Sequence, residues 1–183
     1  MENQDILFDC RNLADESLEL VKSLDPFVFP NTGLFILEEY GQFLVGKKVM
    51  EYRENLRLLT NKLHGLKGLS GFIIPAAKSL CHRTEDLVKP LSENEYVLDD
   101  LIADTLKNAI FEIQEWLDRY EAGNLTFDLA RWEKRLEEAQ AAAETYVGDH
   151  KEALQALIKS RSVDDGDIRQ RKNAVLSVAR DGY

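Results

Sequence analysis

A chain of 183 residues, 44% hydrophobic and 31% charged, is long enough to bury one good core and too apolar to remain disordered. Its 33 acidic against 23 basic residues leave a net charge of -10, which argues against duplex nucleic acid or an anionic membrane as the main partner, because cation-phosphate contacts drive that binding. The opening stretch MENQDILFDCRNLADESLEL is studded with acids, and no apolar run approaches the roughly 20 residues of a membrane span, so the expectation is a cytoplasmic chain with protein partners and no membrane insertion.

Apolar or small residues recur in steps of four and three at Ile6, Cys10, Leu13, Ser17, Leu20 and Leu24, and Asp25-Pro26 ends this first helix. Phe27 to Asn31 reads as a loop, and GLFILEEYGQFLVG as a short, very apolar helix between Gly33 and Gly46, so residues 26–46 form an insert. From Val49 the stripe returns at Tyr52, Leu56, Leu59, Leu63 and Leu66. Pro75 suits the first turn of the next helix, which carries Leu80, Cys81, Thr84, Leu87 and Val88 and is expected to stop at Lys89-Pro90. Ser92-Glu93-Asn94-Glu95 has the form of a capping box and is expected to open a long helix. Its inner face would hold Leu98, Ile102, Leu106, Ala109, Ile113, Trp116, Leu117 and Tyr120, and Gly123-Asn124 would close it.

Beyond Thr126 the pattern becomes heptads, at Leu129, Trp132, Leu136, Ala139, Ala143, Tyr146, His150, Ala153 and Leu157, with a break near Gly148-Asp149. The segment SVDDGD is a turn, and IRQRKNAVLSVARDGY a last short helix. The heptad helix is expected to dock on the rest of the chain or to form a hairpin with residues 167–180, leaving a monomer, with homodimerisation as the alternative. No segment alternates with period two, so the class is all-α. Cys10 and Cys81, the only cysteines, lie in amphipathic segments and read as a reduced, packed pair.

The stretch LHGLKGLSGF departs from good helix sequence, because Gly65, Gly68 and Gly71 each weaken a helix by about 1 kcal/mol relative to alanine. At ~100° per residue, His64 lies a quarter-turn from the buried Leu63, on the edge between core and solvent with Arg53, Arg57, Thr60 and Lys67. A histidine among cations is suited to carry a dianionic group. Gly68 falls one turn along and Gly71 two, which would leave bare backbone beside the imidazole so that another protein can close over the ring. Close packing against a neighbouring helix is the competing use of such glycines.

The pattern His64-x-x-Lys67-Gly68, followed by Ser70-Gly71-Phe72 and then by a helix bearing His82-Arg83-Thr84-Glu85, resembles the histidine-containing phosphotransfer (HPt) family, most nearly the N-terminal phosphotransfer domain of chemotaxis-type histidine kinases. The resemblance covers residues 1–122; residues 26–46 and the helical extension 123–183 lie outside it. It implies an antiparallel up-down four-helix bundle acting as a phosphorelay intermediate. A kinase's ATP-binding domain would phosphorylate His64 at Nε2, and the group would pass to an aspartate of a response regulator receiver domain. By position, Lys67 would help neutralise the phosphoryl oxygens, Gly68 would keep the docking surface open, Glu85 would accept a hydrogen bond from Nδ1-H, and His82 would pack behind Glu85. ATP and magnesium would belong to the partners, with no cofactor in this chain. One departure is plain: Ile73-Ile74-Pro75 stands where the family usually has a second glycine, and the turn is shorter by one residue.

Other chemistries find less in the sequence. His64, His82 and Glu85 could be metal ligands, but a di-iron bundle needs a second such motif and more inward carboxylates, so no metal is expected. The acids of SVDDGD lack calcium-loop spacing. There is no phosphate-binding loop and no segment like a histidine-kinase ATP-binding domain, so the chain is not expected to phosphorylate itself and is either a free-standing carrier or a piece of a larger kinase. A helical adaptor that binds partners through its C-terminal helices is the alternative function. Lys78 and Lys89 read as a solvated face.

Overall fold

The computed structural model describes residues 2–28, 47–93, 95–149 and 152. The helix expected between Gly33 and Gly46, the positions His150, Ala153 and Leu157, and the hairpin with residues 167–180 lie outside the described residues. Five α-helices account for most of the rest: α1 (Asn3–Ser23), α2 (Lys47–Ser70), α3 (Pro75–Ser92), α4 (Asp100–Glu121) and α5 (Leu129–Asp149), with one turn of 3-10 helix at Asp25–Phe27. No strand occurs among the described residues, and no helix there is long and apolar enough to cross a membrane.

Cross-helix pairs set the directions. Asn55 of α2 donates to Ser23 at 3.0 Å and Lys62 pairs with Glu16 at 2.6 Å, so α1 and α2 are antiparallel. Lys67 meets Glu85 and Ser70 meets Cys81, which turns α3 against α2. The partners of α4 run backwards along α1 and into the 3-10 turn that follows it: Tyr120 with Asn3, Gln114 with Asp15 and Lys107 with Asp25. The result is an up-down bundle of α1 to α4 closed by the α1–α4 contact.

Periodicity explains why these helices bury what they bury. In α2 the fully buried Leu56, Leu59, Leu63 and Leu66 follow steps of three and four, the spacing that keeps one face inward. In α1 the buried line runs through Ile6, Cys10, Ala14, Ser17 and Val21, rotated from the expected one. Leu13 and Leu20 sit at its flank, half-buried, because Leu13 turns toward Gly65 of α2. Ser17 remains inside by donating its hydroxyl to the Leu13 carbonyl at 2.7 Å. Trp116, the bulkiest fully buried side chain, satisfies its indole N–H on Glu112 at 2.9 Å.

Two expectations at the α3–α4 connection are corrected. First, α3 does not stop at Lys89-Pro90 but continues to Ser92 with Pro90 inside it. Proline keeps a helical φ and sacrifices one hydrogen bond; here the buried Leu91 draws the last turn into the core, while the Pro90 carbonyl accepts from Glu95 N–H at 2.8 Å. Second, Ser92 is no N-cap. Its hydroxyl donates to the Lys89 carbonyl, and α4 begins later, capped by Asp99, whose Oδ1 accepts from Ile102 N–H at 2.8 Å. Tyr96, Val97 and Leu98 are buried as connecting chain, not as helix. The other end of α4 closes at Gly123, whose φ of 81° is the left-handed conformation that favours glycine after a helix.

Helix α5 returns along the bundle against α3 and α4. Trp132, Leu136, Ala139 and Ala143 enter the same core as the first four helices, and Tyr96 donates to Glu144 at 3.0 Å. The described part of the heptad stripe, from Leu129 to Tyr146, therefore finds its partner surface within the chain.

Candidate functional site

Because Leu63 points into the core, the next residue is carried about 100° round the helix. His64 emerges at the α2–α3 seam with 69% of its side chain exposed. The same step on α3, from the buried Thr84, brings Glu85 to the flank that faces α2, where its carboxylate is only 16% exposed. Antiparallel register does the rest. Glu85 Oε1 lies 3.1 Å from His64 Nδ1, and Glu85 Oε2 accepts from Lys67 Nζ at 2.7 Å. One carboxylate is thus shared by the imidazole and an ammonium.

Burial would raise the pKa of Glu85, but hydrogen bonds from Lys67 and His64, with their charges, outweigh it and hold the carboxyl below its usual value. It is therefore ionised at neutral pH, and an ionised carboxylate can only accept. The neutral imidazole facing it must carry its proton on Nδ1, which leaves the Nε2 lone pair free. An exposed ring whose Nδ1 faces an ionised carboxylate has the chemistry to act as a nucleophile through Nε2, since the negative charge can support a developing imidazolium.

Lys67, 20% exposed, spends one donor on Glu85, so the ammonium expected to serve a phosphoryl group first serves the carboxylate; two of its three N–H donors remain. Gly68 is open, with no atom within 4 Å of where a Cβ would stand. Gly71 differs from expectation. Helix α2 ends at Ser70, Gly71 lies in the turn, and a methyl there would stand 3.1 Å from Lys78 Cδ and 3.2 Å from Lys78 Cβ, so this glycine admits a lysine stem rather than baring backbone. At Gly65 a methyl would meet Leu13 Cδ1 at 3.5 Å and Cδ2 at 3.9 Å, ordinary contacts. Of the cations expected beside His64, Arg57 turns back to Glu54.

His82 is corrected. It does not pack behind Glu85 but is 57% exposed, with Nε2 3.8 Å from Asp86, because it follows the buried Cys81 by a quarter-turn on the solvent side. Cys81 and Cys10 are free and buried. The turn that departs from the family pattern closes without a glycine after Gly71. The Ser70 carbonyl accepts from Ile73 and Ile74 N–H at 3.1 and 2.7 Å, the Ile74 side chain plugs the core, and Pro75 opens α3. That closure leaves Phe72 77% exposed, a feature that sequence reasoning passed over; its signal was an aromatic residue just beyond the end of the apolar stripe. No group of three or more metal-ligating side chains occurs among the described residues.

Fold and geometry define an all-α bundle with an exposed, carboxylate-oriented histidine on its surface. Comparison with protein-family models, with curated proteins and with solved structures returned no match.

Proposed function

We propose that this protein is a phosphocarrier in a phosphorelay, with His64 as the residue that takes and gives the phosphoryl group. The observation that carries the reading is the shared carboxylate: Glu85 on His64 Nδ1 at 3.1 Å and on Lys67 Nζ at 2.7 Å, with the far side of the ring in solvent. In the first step Nε2 attacks the γ-phosphorus of ATP held, with magnesium, by the ATP-binding domain of a histidine kinase. The N–P bond forms as the bond to the bridging oxygen breaks, and ADP leaves with the electron pair. Positive charge developing on the ring is met through Nδ1-H by ionised Glu85. In the second step a carboxylate oxygen of a response-regulator aspartate attacks phosphorus, the N–P bond breaks, and the pair returns to Nε2. The chain contributes nucleophile and orientation, and the partners contribute nucleotide and metal. Its partners and its place are accordingly cytoplasmic, and the internal docking of α5 fits a monomer.

The test is incubation with ATP labelled at the γ-phosphorus and a panel of histidine-kinase catalytic cores. An acid-labile, alkali-stable label that disappears in His64→Gln and persists in His82→Gln supports the proposal. Absence of label, or label that stays in His64→Gln, removes it and leaves a helical adaptor.

A further inference from the structure

Phe8 of α1 is 64% exposed and Phe111 of α4 50%, although the outer face of a bundle helix is ordinarily polar. One exposed aromatic is common on a protein surface; these two share a seam. Phe8 stands seven residues before Asp15 and Phe111 seven before Asp118, and seven residues are nearly two full turns, so each ring leaves its helix on the side of that acid. Contacts of the acids fix the side: Asp15 accepts from Gln114 at 2.7 Å, and Asp118 pairs with Arg11. Both rings therefore stand at the outer rim of the α1–α4 seam, across the bundle from the α2–α3 seam that carries His64. Because α1 and α4 are antiparallel, Phe8 lies seven residues from the Asp15–Gln114 contact in one direction and Phe111 three residues in the other, ~15 Å apart along the seam at the rise of a helix. The surface around them is acidic. Asp15, Asp118 and Glu121 are exposed there, and Asp104 continues the stripe seven residues before Phe111. Arg11 is committed to two carboxylates, and no lysine or arginine among the described residues pairs with Asp15 or Asp104.

We propose that the α1–α4 seam is an interaction surface separate from the histidine, on which Phe8 and Phe111 hold a basic amphipathic helix of a partner protein. The inference does not depend on the phosphocarrier reading. A helix laid along a seam between two helices is gripped by a few apolar anchors, and aromatic side chains are the usual energetic centres of such contacts. Anchor points ~15 Å apart match apolar residues about ten or eleven positions apart on the incoming helix, three turns along one face. Lysines or arginines flanking those residues would meet Asp15 and Asp104, whose charges nothing on the chain offsets. Charge complementarity selects this occupant over the others. A second copy would set the same acids against themselves in a chain of net charge -10, and nucleic acid or an anionic bilayer would meet the same repulsion.

The test is selection of a displayed library of helical peptides, about five turns long, on the full chain, with counter-selection on Phe8→Ser/Phe111→Ser. Enriched peptides are expected to be basic and to carry two apolar residues three turns apart. A synthetic copy of the most enriched one should bind the parent about tenfold or more tightly than the double variant, and His64→Gln as tightly as the parent. Asp15→Asn/Asp104→Asn, which reads the same surface without touching either ring, should also weaken binding, and added salt should weaken it further. Absence of enrichment, or enrichment of acidic or uncharged peptides, overturns the proposal. An equal loss in Phe72→Ser overturns it too, since that marks adhesion to any exposed aromatic. Sedimentation showing a parent dimer that the double variant dissociates assigns the seam to a second copy. Binding that appears only when residues 153–183 are removed assigns it to the chain's own end. Either result overturns the foreign helix as occupant.

Discussion

Lys67 Nζ stands 2.7 Å from Glu85 Oε2, and that contact helps to hold the pKa of the carboxyl below its usual value while its other oxygen faces a histidine one turn earlier on helix α2. Removing the charge while keeping the shape is the informative change. Glu85→Gln is expected to slow uptake of label by about 10²-fold or more, because a neutral amide no longer supports the imidazolium and no longer enforces one tautomer. The acid limb of stability checks the same contact. A carboxyl whose pKa is lowered on folding from 4.5 contributes stability that is present above that value and lost as pH falls below it. The parent should therefore lose stability below pH 4.5 more steeply than Glu85→Gln; parallel melting curves would show that the pair is not formed in solution.

The glycines separate access from packing. Gly65→Ala, with its methyl in ordinary contact with Leu13, and Gly68→Ala, with open space, relieve a helix penalty without a clash and should each stabilise by up to about 1 kcal/mol, or roughly 2–4 °C in melting temperature. Gly71→Ala should gain less or lose, since its methyl presses on Lys78 at 3.1 Å. Gly68→Gln should fold as well as the parent yet transfer phosphoryl groups more slowly. Equal transfer by Gly68→Gln would show that the open surface is not used.

Buried thiols give a prediction on the alkaline side. Desolvation pushes Cys81 up to about 12 and Cys10 up to about 11, so the folded chain retains protons that the unfolded chain loses from pH 9.0 upward. Stability attached to these thiols is complete below pH 9.0 and drains away as pH rises toward 12. A Cys10→Ala/Cys81→Ala variant should be less stable at pH 8 but show a shallower alkaline decline, and both thiols of the parent should react with an aromatic disulfide reagent only after denaturation. Fast labelling of the native protein would contradict their burial.

Helix α5 shares the core of the first four helices through Trp132 and Leu136. Leu136→Ala should cost ~2–5 kcal/mol, measured by denaturant unfolding, and truncation near Asn124 should lower the melting temperature. Unchanged stability in both would mean that α5 docks elsewhere.

Much of this was legible because helical periodicity is a strong local signal: Leu56, Leu59, Leu63 and Leu66 mark a face, and the residue after Leu63 must then lie at its edge. Glu85 is named by the resemblance alone, as the last residue of His82-Arg83-Thr84-Glu85. What local pattern could not supply was anything decided by tertiary pull. Pro90 looked like a stop, but burial of Leu91 kept the helix going, and the acid that caps α4 proved to be Asp99, beyond a buried connection whose apolar residues mimicked helix. Lys67 was expected to face a phosphoryl group, but a long side chain can bend to either side of its helix, and only the register of α3 shows that it meets Glu85. His82 matched a motif, yet its own angle from Cys81 already pointed to solvent.

The most direct measurement is nitrogen NMR of ring-labelled His64 at neutral pH, before and after phosphorylation. The account predicts a proton on Nδ1 and an unprotonated Nε2 in the resting protein, with phosphorus coupled to Nε2 afterwards and the Nδ1 proton retained. A resting ring protonated on Nε2, or phosphorus found on Nδ1, would contradict it.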